Sequence, residues 1–390
     1  MNQSHLTSVF ILPIVVIACS GNNSKGDSSR SGGASSAGGA STAGGTTVQG
    51  LGGTSSAGGA STAGGTTVHS FGGVGNGGAS VQGGSATRTS TGGIGWGGIS
   101  SVSSSQGGSS LGSTTNTATG GWIENFDSAT SKYINFVPQG TSSAKSNVAD
   151  SASSDGRALQ LTLSSNVQPT PTYGAQVESK NAYQYGSFSA RLRTAACTNQ
   201  PNTGVVTGLF TYFNDGADHN GDGLPDNSEI DFEWLCAAPE VVYLTMWTDY
   251  RDSDSAQKRV SRSINLRTGA IAYTSYFQQF DNGQTLTGTE TQPSQLAALA
   301  NYDSSLNDYE YGFDWASDHV TWWIRHPTTG AAVVLWDYRG NSARIPTLAA
   351  TYMANVWHTP DWSPDGKPNA ISSPTAAVTA WVDFMRYQPL

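Results

Sequence analysis

The chain has 390 residues, a formal net charge of -9 at pH 7 and only 12% charged residues. With 19 Lys and Arg and no basic cluster it lacks the electrostatic footprint that holds a nucleic-acid backbone, so no nucleic acid is expected and a neutral polymer is the better-matched partner. Its 48 glycines gather in the first third, which leaves core-forming capacity to the remainder.

Residues 9–18 read V-F-I-L-P-I-V-V-I-A, an apolar run too short to span a bilayer and suited to the hydrophobic region of a secretory signal. The run ends Val16-Ile17-Ala18-Cys19-Ser20, which resembles a bacterial lipobox, where the Cys is acylated and becomes the mature N-terminus. Residues 1–19 are therefore expected to direct export, giving a cell-envelope lipoprotein held through Cys19 or a secreted protein, with the lipid as the one link to a membrane. Two features depart from the usual signal: residues 1–8 carry no Lys or Arg, and Pro13 interrupts the run.

Residues 20–120 are nearly all Gly, Ser, Thr and Ala, and residues 32–51 recur almost unchanged at 52–71, a period of 20. A solenoid needs each repeat to bury an apolar face. One Val and one large apolar residue per unit cannot offset the entropy of ordering so much Gly. The segment reads instead as a duplicated, nearly uncharged flexible linker, reaching roughly 50 to 60 Å root-mean-square as a coil.

Residues 121–390 carry short alternating segments, at 187–193, 241–249, 319–325, 331–338 and 377–387, separated by Gly, Pro, Asn and Asp turns. No long helical period appears. The pattern predicts one all-β domain of two packed sheets. Cys197 and Cys236 both lie just past predicted strands, and an exported pair invites a disulfide; two buried free thiols are the alternative. The histidines show no metal-ligand spacing.

Residues 218–229 (D-H-N-G-D-G-L-P-D-N-S-E) fit the calcium-loop pattern D-x-[DN]-x-[DN]-G-x5-E. The twelfth ligand would be Glu229, which the next strand also claims. A carboxylate clamped on calcium is a poor nucleophile. Asp218, Asn220, Asp222 and Asp226 are therefore left as either a truncated calcium loop or a plain acidic turn.

That next strand, Ser228-Glu229-Ile230-Asp231-Phe232-Glu233-Trp234-Leu235, alternates acid and apolar residues, which puts three carboxylates on one face of a sheet. Glu229 and Glu233 stand about 13 Å apart along the backbone. Their long side chains can lean to the roughly 5 Å separation used by retaining glycosidases. Three close acids cannot all ionise, so one holds a proton while another stays charged. On this reading Glu229 is the nucleophile, Glu233 the acid/base and Asp231 the group that tunes both, although spacing alone does not order the two glutamates. A merely solvated acidic strand face is the alternative.

E-I-D-F-E matches the E-[ILV]-D-x-E signature of glycoside hydrolase family 16, which includes lichenases, laminarinases and transglycosylases. Tyr185-Gly186-Ser187-Phe188-Ser189-Ala190-Arg191-Leu192 resembles the family's Y-G-x-x-E-x-R strand, and residues 202–212 resemble the strand before the catalytic one. Tyr311-Gly312-Phe313-Asp314-Trp315, His319-Val320-Thr321-Trp322-Trp323, Asn355-Val356-Trp357 and Asp383-Phe384-Met385-Arg386-Tyr387 resemble its later segments in family order. The resemblance implies a β-jelly-roll sandwich of the concanavalin A-like type over 121–390. It implies a retaining endo-β-glucanase, expected as a monomer, that hydrolyses β-1,3-1,4- or β-1,3-glucan. A transglycosylase, or an inactive carbohydrate-binding protein, is the alternative.

Aromatic rings suit a sugar's C–H face, and the candidate platforms are Tyr212, Trp234, Trp247, Trp357 and Trp362. Trp247 and Trp357 match substrate-contact positions of the family, and Asn355 is a hydroxyl ligand by the same match. No cofactor is required. A structural calcium is the one ion the family suggests, at a position matching Asp383. Ser189, Thr245 and Trp247 depart from the lichenase pattern, which leaves the polymer open. Residues 251–298 are long for the connection usual there, and such irregular segments tend to be binding loops or disordered.

Overall fold

The computed structural model describes residues 120–169, 174–278 and 284–390, and the short alternating segments within them form strands joined by turns and irregular stretches. Cys19 and the signal and linker segments lie outside the described residues. In chain order the strands are β1 (Trp122–Glu124), β2 (Ile134–Pro138), β3 (Ser143–Ala149), β4 (Arg157–Leu163), β5 (Ala175–Tyr183), β6 (Gly186–Arg193), β7 (Val205–Tyr212), β8 (Asp226–Leu235), β9 (Val241–Arg251), β10 (Ala256–Asn265), β11 (Ala270–Gln278), β12 (Gln284–Thr285), β13 (Tyr309–Trp315), β14 (Val320–Arg325), β15 (Ala332–Tyr338), β16 (Ala350–His358) and β17 (Val378–Gln388).

They form two antiparallel sheets. The first runs β15-β14-β13-β6-β17-β4-β3, with β1 also on β17; the second runs β12-β11-β10-β9-β8-β7-β16-β5-β2. Hairpin-like neighbours alternate with long crossovers, β6 lying between β13 and β17 and β16 between β7 and β5, as in the jelly-roll sandwich that the resemblance implies.

The catalytic-type strand β8 sits in the middle of the second sheet, between β7 and β9. Its apolar face, Ile230, Phe232 and Trp234, joins Val242, Leu244 and Met246 of β9 in the core between the sheets. Phe232 and Trp234 meet Tyr311 of β13, with ring centroids 5.6 and 4.6 Å apart. Trp322 of β14 donates its indole N–H to the Asp231 carbonyl at 3.0 Å, which ties β8 to the opposite sheet.

Two sequence expectations are corrected at this level. Trp234 is no sugar platform: period two puts it on the core face of β8, where it is fully buried and its indole N–H is spent on the Tyr302 hydroxyl at 3.2 Å. Residues 251–298 are no irregular loop either, since they supply β10, β11 and β12 and widen the second sheet. The alternation of β10 is disguised because Arg262 takes a core-side position between Val260 and Ile264. There its guanidinium donates to the Pro293 and Leu335 carbonyls and the Thr274 hydroxyl, so the buried charge keeps its hydrogen bonds.

Candidate active site

The outer face of the second sheet collects the polar half of each alternating strand. On β8 this is Glu229, Asp231 and Glu233, only 5%, 2% and 5% exposed. Register sets their neighbours. Glu229, Asp231 and Glu233 stand opposite Trp247, Thr245 and Tyr243 of β9. On the other side Asp231 and Glu233 face Phe210 and Gly208 of β7.

Each acid is placed by a specific contact. A β-bulge between Asp226 and Glu229 re-aims the start of β8. Asn227 there donates its side-chain amide to a Glu229 carboxylate oxygen at 2.8 Å. Trp247 donates its indole N–H to Asp231 at 3.1 Å. Arg259 of β10 in turn lies over the Trp247 ring, 4.9 Å from its centroid, and over Phe277 at 4.2 Å. Trp247 therefore acts here as a clamp on Asp231, with one ring face covered by the guanidinium.

Burial pushes both Glu229 and Glu233 well above the usual carboxylate range. The opposing contributions differ. The Asn227 amide favours ionised Glu229. Glu233 is raised further by the charge of Glu229, while the Arg259 guanidinium pulls it back. A buried pair in which one member ionises at the other's expense divides naturally into a charged nucleophile and a protonated acid.

The Glu233 side of the site continues into β16 and β5. Asn355 stands opposite Gly208, and Gln176 of β5 opposite Asn355. A Cβ at Gly208 would come within 2.6 Å of the Asn355 side-chain oxygen, so the absence of a side chain there is what admits Asn355 beside Glu233. Asn355 Oδ1, Gln176 Nε2 and Trp357 Nε1 are buried with no hydrogen-bond partner. Such groups are costly unless something completes them, and sugar hydroxyls can donate to and accept from this set. Tyr212 lies at the other end of the face, partly buried, its phenol pushed up by burial and by the charge of Glu229.

Trp357 and Trp362 lie in a small second apolar cluster with Val206, Leu235 and Tyr243. Trp362 meets Tyr243 edge-on at 4.9 Å, so it packs as a wall beyond Glu233 rather than as an open platform. Cys197 and Cys236 are joined by a disulfide three residues past Glu233, bracing the same wall. Gln176, Asn227 and Arg259 were not singled out from sequence. Gln176 was legible in the alternation Ala175-Gln176-Val177-Glu178, whereas Asn227 depends on a bulge and Arg259 on a strand hidden by Arg262.

The residues proposed for calcium do not converge. Asp218 accepts from the amides of Gly221, Asp222 and Gly223. Asp226 accepts from the His219 and Asn220 amides and the Asn220 side-chain NH2, while Asn220 Oδ1 accepts from the Asp222 N–H at 2.9 Å. Asp222 pairs with Lys258. The carboxylates of Asp218 and Asp226 thus cap the loop's own N–H groups. Asp383 is likewise engaged, by Arg191 and by the Ser154 amide and hydroxyl. Among the described residues no cluster of three or more His, Cys, Asp or Glu side chains suits a metal ion.

Residues 139–372 match the model of the glycosyl hydrolases family 16. A Brevibacillus brevis beta-glucanase is 22% identical over 233 residues, which cover 60% of this chain and 67% of that protein. Among solved structures, the Bacillus licheniformis beta-glucanase is 16% identical, with 70% of this chain and all of that chain covered at a TM-score of 0.39. A family 16 endo-glucanase from Bacteroides ovatus is 12% identical, with 68% and 99% covered at 0.41.

Proposed function

From the premise that the chain belongs to glycosyl hydrolase family 16 and is a glycoside hydrolase, we propose that it is a retaining endo-β-glucanase acting on β-1,3-1,4- or β-1,3-glucan. The observation that carries the reading is the set of three buried carboxylates on one face of β8, two of them held by Asn227 and Trp247. Glu229, as carboxylate, attacks the anomeric carbon while Glu233 gives its proton to the departing glycosidic oxygen; the C–O bond breaks and a glycosyl ester forms on Glu229. Water then loses a proton to Glu233 and attacks the same carbon, and the ester bond breaks to restore the Glu229 carboxylate. Asp231, held by the Trp247 indole N–H, stands between the two glutamates on the same face of β8, where it tunes its neighbours.

Asn355, Gln176 and Trp357 bind sugar hydroxyls on the Glu233 side, and Tyr212 offers a ring on the Glu229 side. No metal or cofactor takes part, and the protein works as a monomer. The lipobox-like Cys19 and the linker support an exported protein, either a cell-envelope lipoprotein tethered within reach of extracellular polymer or a secreted one.

Incubation with lichenan, laminarin and xyloglucan, following reducing ends and product size together, tests the proposal. New reducing ends on lichenan or laminarin, with the anomeric configuration retained, are expected. Longer oligosaccharides without new ends would identify a transglycosylase instead, and binding without turnover would contradict an enzyme.

A further inference from the structure

Of the strands that widen the catalytic sheet, β10 contributes Arg259 to the site, and β11 beyond it presents a face to the same side. Register sets Phe277 opposite Arg259, Ser275 opposite Ser261 and Tyr273 opposite Ser263. Through β10 and β9 these rows lead back to the acids. Arg259 faces Trp247 and then Glu229, Ser261 faces Thr245 and then Asp231, and Ser263 faces Tyr243 and then Glu233.

The middle row carries only short hydroxyl side chains, Thr245, Ser261 and Ser275. The rows beside it carry Trp247, Arg259 and Phe277 on one side and Tyr243, Ser263 and Tyr273 on the other. A row of hydroxyl side chains, flanked by ring-bearing residues on β9 and β11, thus runs from Asp231 to β11, about 14 Å from β8 at the usual spacing of paired strands. Exposure rises along it: Thr245 and Ser261 are buried, whereas Tyr273, Ser275 and Phe277 are half-buried. Phe277 is held by the Arg259 guanidinium, so little freedom remains to be lost when a ligand stacks on it.

We propose that Tyr273, Ser275 and Phe277 form an outlying sugar subsite, so that the cleft grips several linked glucose rings on the β11 side of the scissile bond. The inference rests on the glucanase reading above. The occupant is the substrate chain itself, because Ser275 lies in the same paired row as Asp231. Ring faces there suit sugar C–H faces, and the Ser275 hydroxyl suits their hydroxyls.

The test compares full-length wild type with Tyr273→Ala, Phe277→Ala and Phe277→Trp on lichenan and laminarin oligosaccharides of increasing length, measuring kcat/KM for each. Wild-type kcat/KM is expected to climb with length. In either Ala variant the ratio between the longest and shortest substrates should fall about ten-fold, with Phe277→Trp retaining it. A ratio unchanged in both Ala variants, or an equal loss at every length, would overturn the subsite while leaving the glucanase reading standing. Hydrolysis of neither series by the wild type would remove that reading, and the subsite with it.

Discussion

At Glu229 and Glu233 the burial that makes ionisation costly also prepares the chemistry, and it leaves a mark on stability. In the unfolded chain both groups titrate in the ordinary carboxylate range; in the folded protein they hold their protons to higher pH. Over the window between those values the unfolded state releases protons that the folded state keeps, so stability falls as pH rises through it. Glu229→Gln and Glu233→Gln are expected to lower kcat by about a thousand-fold or more. They should also raise Tm by a few degrees at pH 8, a gain that shrinks at pH 4. Thermal melts at the two pH values check this; a variant that melts lower at pH 8 would contradict the charged-burial account. Asn227 supplies a finer probe. Its amide favours ionised Glu229, so Asn227→Ala should move the acid limb of the kcat/KM profile to higher pH, and an unmoved limb would contradict its role in holding the nucleophile.

The strand is the scale at which sequence and structure agree best and also where they part. For β8 and β9, alternation alone sorts Glu229, Asp231 and Glu233 from Ile230, Phe232 and Trp234. The residue type of Trp234 suggested a platform, while its position in the period put it in the core. For β10 the same rule was obscured because a buried Arg262 breaks the apolar row, and this hid the extension of the sheet. The calcium pattern matched in composition, yet nothing in a string of residue types says whether carboxylates face an ion or their own backbone amides. Unpartnered groups such as Gln176 Nε2 become visible only once β5 and β16 are paired. Two strand-level changes test the site's supports. Replacing both Cys197 and Cys236 by Ala opens a link spanning 39 residues of sequence, and is expected to cost about 2–4 kcal/mol in urea unfolding. Gly208→Ala should displace the end of the Asn355 side chain, raising KM several-fold with little change in Tm; an unaltered KM would remove Asn355 from the binding set.

Across the whole molecule, two sheets bury their aromatic faces against each other and leave one broad outer face on which the acids, their positioning residues and the unpartnered amides all lie. The chain ahead of this sandwich carries a separate expectation, attachment through Cys19. When the chain is expressed with its leader in a bacterial host, Cys19→Ala should move the protein from the membrane fraction to the soluble one, and continued retention would contradict the lipid anchor. The central claim is that a sugar is carried on Glu229. The most direct measurement is to trap that ester with a 2-fluoro aryl glycoside of a β-glucan oligosaccharide and to map the labelled peptide by mass spectrometry. The account predicts one glycosyl unit on Glu229; a label on Glu233, or turnover of the natural polymer with inversion and no trapped ester, would contradict it.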